Sequence, residues 1–300
     1  MGKLETQCKK YSLLQSAWTV QGRSRAGRST GYFVHGPGFL MDAGIHTDLQ
    51  AKAVFITHRH TDHSQHLCGV VTPRAPVKKG QEKLKGRPVL APTGCIPMLR
   101  HLCATHAYLN DGVLPEDPFT RCGMHEMGVD AGDCIEVPGL QGIEVEVVKC
   151  YHNSCETVGY GFSIKKNKLK AEYIGLDKEG IIALRKSGTC ITESVRVPQV
   201  IFFGDTTPDA LTQHTEWQKY PNVFIECTAC STDKDIDAEV SKMRDRGHTH
   251  IAELKPILEA HAEGRRWFLQ HASAAHKDQE LIEMAEGIEA DVVIVEDYIK

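Results

Sequence analysis

The sequence predicts an α/β fold. Three observations carry that reading. The chain has 300 residues of 41% apolar composition, enough for one sizeable core. Short apolar segments dominate its first part, and strand-like and helix-like patterns alternate in its second. Leu13 to Val20, Tyr32 to His35 and Phe39 to Met41 read as strands, with a Gly- and Arg-rich turn over Gly22 to Gly27. Ala53 to Ile56 reads as a buried strand, and Val89-Leu90 leads into a helix from Ile96 to about Leu109. Asn110 to Asp133 is rich in Gly, Asp and Pro and reads as a loop, whereas Ile143 to Val147 alternates like a half-buried strand. Val158 to Ile164, Val200 to Phe203, Val223 to Ile225, Trp267 to Leu269 and Val292 to Val295 are further strands. Helical patterns fall over Lys178 to Lys186, Asp235 to Arg246, Ile251 to Ala262 and Lys277 to Glu286, and Pro256 predicts a kink or later start in the third. No repeat, low-complexity tract or linker divides the chain, so residues 1–300 are expected to form a single domain.

Composition excludes several classes. A net charge of −4 gives no global attraction to nucleic acid, so a polyanion site would have to be a local patch. Two such patches stand out: Lys78, Lys79, Lys83, Lys85 and Arg87 in a Gly-containing loop, and Lys165, Lys166, Lys168 and Lys170 after a strand. No run approaches the roughly 20 apolar residues that span a bilayer, and the N-terminus lacks a basic-then-apolar signal pattern. Eleven irregularly spaced cysteines read as reduced thiols, so the expectation is a soluble, intracellular, cytoplasmic protein. Met1 to Thr6 formally fits the N-myristoylation pattern, a short motif that anchors weakly by itself.

The chemistry begins at His58-Arg59-His60-Thr61-Asp62-His63, directly after the Ala53 to Ile56 strand. Three imidazoles and a carboxylate in six residues, on a loop held by a buried strand, suit a metal such as zinc, which takes nitrogen and anionic oxygen ligands. His58 and His60 can point the same way from an extended segment, and Asp62 and His63 can serve a neighbouring ion. Distant partners of the right kind follow three more strands: His152 after Ile143 to Cys150, Asp205 after Val200 to Gly204, and His271 after Trp267 to Gln270. Strand ends on one edge of a sheet converge in space, so these seven side chains suffice for two ions sharing a bridging carboxylate.

In motif order, Asp42, the His58 to His63 cluster, His152, Asp205 and His271 resemble the metallo-β-lactamase superfamily over most of the chain. The resemblance implies a four-layer αβ/βα sandwich, two mixed sheets flanked by helices with the metals at one edge. It implies two zinc ions per chain, one on His58, His60 and His152, the other on Asp62, His63 and His271, with Asp205 bridging and Asp42 orienting the loop. The same N/O ligands also accept manganese or iron. Within the superfamily the likeness is to ribonuclease Z, which removes 3′ trailers from precursor tRNA, and to its short relatives. Phe224-Ile225-Glu226-Cys227-Thr228-Ala229 resembles that family's strand-end glutamate motif, and Gly247-His248-Thr249-His250 its helix-opening histidine motif.

By this resemblance Asp62, Glu226 and His248 are catalytic, and His250 is the alternative to His248. A hydroxide bridging two ions would attack phosphorus while His248, its proton held by Glu226, protonates the departing oxygen. The partners implied are precursor tRNA and a second copy in a homodimer, with no membrane. The chain departs from the family pattern in four places. The segment from His152 to Asp205 looks too short for the arm that grips tRNA, Asn110 to Asp133 looks longer than usual, Cys227 alters the glutamate motif, and His271-Ala272-Ser273 lacks the Arg-Tyr that commonly follows. A hydrolase of a small ester, thioester or lactone is the alternative function, and a non-catalytic binding protein on the same fold is the third reading. The C-x-x-C pair Cys227 and Cys230 lacks the second pair that a structural zinc needs, which leaves redox chemistry as its other reading.

Overall fold

A computed structural model describes residues 8–71, 86–112, 124–230 and 235–296. The myristoylation pattern and all of the first basic patch except Arg87 lie outside them. Among the described residues the first half builds a seven-stranded sheet in chain order. Its strands are β1 (Lys10–Ser12), β2 (Thr19–Arg25), β3 (Ser29–His35), β4 (Phe39–Met41), β5 (Val54–Phe55), β6 (Arg87–Pro92) and β7 (Met124–Val129). The second half builds another, β8 (Cys134–Glu136), β9 (Ile143–Lys149), β10 (Val158–Leu169), β11 (Thr192–Phe202), β12 (Asn222–Glu226), β13 (Arg266–Gln270) and β14 (Asp291–Ile294). Both sheets are mixed: β1 to β4 and β8 to β11 pair antiparallel, and β4 to β7 and β11 to β14 pair parallel.

The inner faces of the sheets share an aromatic core. Phe39 stacks on Phe162, Phe202 on Phe224 and Phe224 on Phe268, with ring centroids 4.3, 4.3 and 4.2 Å apart. Alternation along each strand sends the other side chains outward against helices. Helices α1 (Thr61–Ser64), α2 (Leu67–Val71) and α3 (Ile96–Asp111) belong to the first half, and a separate apolar cluster including Leu67, Val70 and Leu99 seals α2 and α3 to their sheet. In the second half, α5 (Asp209–Thr212), α7 (Ile251–Ala260) and α8 (Asp278–Glu286) cover the other outer face through Leu211, Leu254, Leu258 and Leu281. The result is the expected four-layer αβ/βα sandwich. Helix α6 (Ile236–Asp245) is capped by Asp235, whose carboxylate accepts from the Ala238 amide, and Pro256 sits inside α7.

Four expectations need correction. Leu13 to Trp18 is the connection between β1 and β2; Asn222 fixes it by bonding both the amide and carbonyl of Leu14. Gly22 to Arg25 is strand, because Arg25 is buried and paired with Asp278, which keeps the chain extended to the Ala26 turn. Asn110 to Asp133 contains β7, recruited by parallel pairing with β6 in spite of its Gly and Asp content. Finally, the segment from His152 to Asp205 does carry an arm: β10 and β11 run on as a long hairpin whose tip holds α4 (Lys178–Lys186) and exposes Ile174 and Ile182.

Candidate metal centre

All the expected ligand positions lie at carboxyl ends of strands on one edge. In the first sheet Asp42 follows β4 and His58 follows β5, and the two strands are parallel. In the second, β11, β12 and β13 are parallel neighbours, so Asp205, Glu226 and His271 come side by side; β9 runs the same way and ends just before His152. Open sheets place ligands at such carboxyl ends. Two glycines admit the close packing. A Cβ on Gly44 would lie 1.7 Å from the carbonyl oxygen of Asp62, and one on Gly247, at φ +75°, would lie 2.7 Å from the Cα of His152.

Among the described residues the donors form five overlapping groups, two of which have a carboxylate between them. His58, His60 and His152 each offer an atom within 4.8 Å of those of the others, and Cys155 joins this group; Asp62, His63 and His271 form the second. Asp205 has one oxygen 3.6 Å from His58 Nε2 and 3.3 Å from His271 Nε2, and the other 3.4 Å from His63 Nε2. Asp62 approaches His271 Nε2 at 3.4 Å and accepts a 2.9 Å bond from the Gly27 amide.

The tautomers are set from behind. Asp42 accepts from His63 Nδ1 at 2.8 Å and from the amide and hydroxyl of Thr57, and Thr57, its proton committed to Asp42, accepts from His58 Nδ1 at 3.0 Å. Gly247 carbonyl accepts from His152 Nδ1 at 3.1 Å, and Thr228 Oγ1, which donates to Glu226, accepts from His271 Nδ1 at 3.2 Å. Each of these four imidazoles therefore keeps its Nε2 lone pair for the centre, the arrangement by which outer partners orient metal-binding histidines. His63 Nε2 is buried with no hydrogen-bond partner, an orphan that a cation would satisfy. Asp42 and His271 hold positive φ, +51° and +61°, an uncommon backbone state for such residues that marks both halves of the cluster.

The charges also suit a cation. Burial and the neighbouring imidazoles of His63, His60 and His152 push His58 well below its ordinary value, which keeps it neutral, and burial lowers His60 and His152. Burial opposes a charge on His63 too, but Asp205 and Asp42 outweigh it and raise its pKa to about 10, so without a metal Nε2 carries a proton that a metal ion would displace. Burial likewise opposes charge on Asp62 and Asp205, and the surrounding imidazoles hold both carboxyls below the usual range.

Beside the second group stands the Glu226–His248 pair. Glu226 is fully buried and accepts from His248 Nδ1 at 2.9 Å, from the amides of Thr206 and Thr249, and from the Thr228 hydroxyl. Burial works against a proton on His248, and the Glu226 carboxylate overcomes it, so the imidazole titrates above its ordinary value. His250 does not join the site. Its Nδ1 caps α7 by accepting from the Ala252 amide, and its Nε2 faces Glu239 at 3.5 Å. Sequence reasoning missed Thr57, Thr228 and Cys155; the only signal for Cys155 was its place three residues after His152.

The fold and this cluster define the class: the chain has the metallo-β-lactamase fold, with donor groups at its strand ends that could hold metal ions. In sequence it is similar to ribonuclease Z proteins. The chain is 28% identical over 275 residues to the tRNase Z TRZ1 of Arabidopsis thaliana, covering 91% of each chain. It is 23% identical over 291 residues to the chloroplastic tRNase Z TRZ2 of the same plant, covering 92% of this chain and 73% of that one. In structure it resembles the metallo-β-lactamase fold protein YhfI of Bacillus subtilis, with a TM-score of 0.54 and 12% identity over 95% of this chain and 99% of that one. Zinc-bound PqqB of Methylobacterium extorquens gives a TM-score of 0.51 at 12% identity over 92% and 97%. No family model matches the sequence. No helix among the described residues is long and apolar enough to cross a membrane.

Proposed function

We propose that the protein is an endoribonuclease of the ribonuclease Z type that removes the 3′ trailer of precursor tRNA in a reducing intracellular compartment. The observation that carries the reading is the 2.9 Å Glu226–His248 pair beside the two donor groups, supported by the similarity to tRNase Z over 91% of the chain. A phosphodiester leaving oxygen departs as an alkoxide unless protonated, and a carboxylate-held imidazolium answers that need. His58, His60 and His152 would hold one divalent ion and Asp62, His63 and His271 a second, with Asp205 within reach of both groups. Ions held there supply an activated water at neutral pH and neutralise charge on the phosphoryl oxygens. Glu226 retains the His248 proton, and His248 delivers it to the departing 3′ oxygen, leaving a 3′ hydroxyl and a 5′ phosphate.

The β10–β11 arm fits a long substrate. Ten residues of strand at about 3.3 Å each put Lys168 roughly 30 Å from the turn that bears His152. The basic patch is weaker than its sequence suggests: Lys165 pairs with Glu136 and Glu144, and Lys168 lies in register with Glu193. At the arm's end Lys178, Arg185 and Lys186 are interleaved with Glu172, Asp177 and Glu179, so the tip is only weakly basic.

Cleavage of a 3′-trailed precursor tRNA by metal-loaded protein, with the cut mapped, tests the reading. The expected result is a metal-dependent cut at the trailer junction that a chelator abolishes and His248→Ala weakens. No cut on RNA, with turnover of a small ester or thioester that survives His248→Ala, would overturn it.

A further inference from the structure

The two cysteines that flank Thr228 take no part in this chemistry. Cys227 and Cys230 leave the end of β12 with their Sγ atoms 3.5 Å apart. Cys227 is buried, and its neighbour Cys230 together with burial pushes its thiol up. Cys230 is half-buried and lines a surface cavity of about 580 Å³ on the outer side of the second sheet, beside His250, Lys255, His276 and Glu280. His276 Nε2 accepts from the Cys230 amide at 3.3 Å, which fixes the backbone there. A second pair, Cys68 and Cys103, has its sulfurs 3.6 Å apart but both residues are sealed in the core of the first half. Proximity is thus common to both pairs, and access is peculiar to Cys230.

We propose that Cys227 and Cys230 form a thiol–disulfide exchange site that takes a small-molecule disulfide through this cavity and, once closed, disables the Glu226–His248 pair. The Cys230 thiolate attacks one sulfur of the disulfide and releases one thiolate, forming a mixed disulfide. Cys227 then attacks Cys230 Sγ, its proton passing to the second thiolate as that is displaced. Two protein thiols are oxidised, the small disulfide is reduced to two thiols, and the two protein protons end on those products.

The bond has a direct route to the site. A disulfide brings its sulfurs to about 2.05 Å, so closing draws this segment in by roughly 1.5 Å. Thr228 lies inside the closed loop, donates to Glu226 Oε2 at 2.6 Å and contacts His271 Nδ1. The amides of Thr228 and Ala229 both donate to the Thr249 carbonyl, next to His248. Contraction therefore pulls on the carboxylate, the imidazole it orients and one metal-binding histidine together.

The test uses full-length, metal-loaded protein treated with oxidised glutathione. Alkylation and peptide mass mapping should find a Cys227–Cys230 cross-link, with Cys68 and Cys103 still alkylated after unfolding. The amide resonances of Thr228 and Thr249 should shift, and RNA cleavage should fall about tenfold or more, the usual cost of disturbing the groups that orient metal-binding residues. Dithiothreitol should restore both. Cys230→Ser should cleave like the reduced protein and ignore the oxidant. A mixed disulfide that never resolves, or a cross-link that leaves the two amides unmoved, would overturn the inference. The cleavage readout rests on the function proposed above; if the reduced protein cuts no RNA, that reading fails, and the cross-link and amide shifts still decide this one.

Discussion

The two sheets contribute to the centre in different ways. The first places His58, His60, Asp62 and His63 on one loop, backed by Asp42 and Thr57 from the same half. The second supplies His152, Asp205 and His271 one at a time, each at the exit of a different strand, with Thr228 and Gly247 behind two of them. A loop of contiguous donors needs only local structure to be correct. Single donors on separate strands need the whole sheet order β9 to β13. Asp205 is where the two designs meet, since its oxygens reach His58 and His63 on one side and His271 on the other.

Removing that junction should have the largest effect. Asp205→Ala is expected to lower both metal content and hydrolysis, the rate by on the order of 10⁴-fold or more, because the shared carboxylate serves both donor groups. Metal analysis of His60→Ala and His271→Ala sharpens the comparison: each should lose close to one ion, one from each donor group. Loss of both ions in either variant would show that the two groups are not separable.

The next effect belongs to the second sheet alone. His248→Ala should reduce hydrolysis by about 10²- to 10⁴-fold with metal content unchanged. The pH profile gives an independent check. His248 acts protonated, and Glu226 holds its pKa above the ordinary value against burial, so activity should persist through neutral pH and fall as pH rises through that raised pKa. Glu226→Gln removes the raising cause and leaves burial, so the falling limb should move to lower pH. An unmoved limb would mean that another group carries the proton. On the first sheet, Asp42→Asn replaces an acceptor of the His63 and Thr57 bonds, and metal affinity should weaken by about 10- to 100-fold in a chelator competition.

The same contrast explains what the sequence disclosed. The His58 to His63 loop was legible from spacing because its candidate donors sit within six residues, and the strand exits at His152, Asp205 and His271 were legible because a short apolar run ends just before each. The backing residues were not. Thr57 and Thr228 are ordinary threonines until Asp42 and Glu226 take their hydroxyl protons and turn them into acceptors for His58 and His271. The arm was missed for a related reason. β10 beyond Ile164 is lysine-rich and largely exposed, so it lacks the apolar alternation that marks a strand, and cross-strand pairing with β11 makes it one. β7 was read as loop because Gly128 and the preceding Gly- and Asp-rich stretch outweighed a register with β6 that no local signal contains.

The smallest effect tests whether position near the site is being mistaken for membership of it. His250 lies two residues from His248 and shares its residue type, yet it faces the outer helices, where it caps α7 and meets Glu239. His250→Ala should therefore cost about 1 kcal/mol of stability, the usual value of a lost helix cap, seen as a small fall in Tm. Its metal content and pH profile should match the unmodified protein. A loss of hydrolysis as large as that of His248→Ala, at unchanged stability, would transfer the proton-donating role to His250 and break the assignment built on the Glu226 contact.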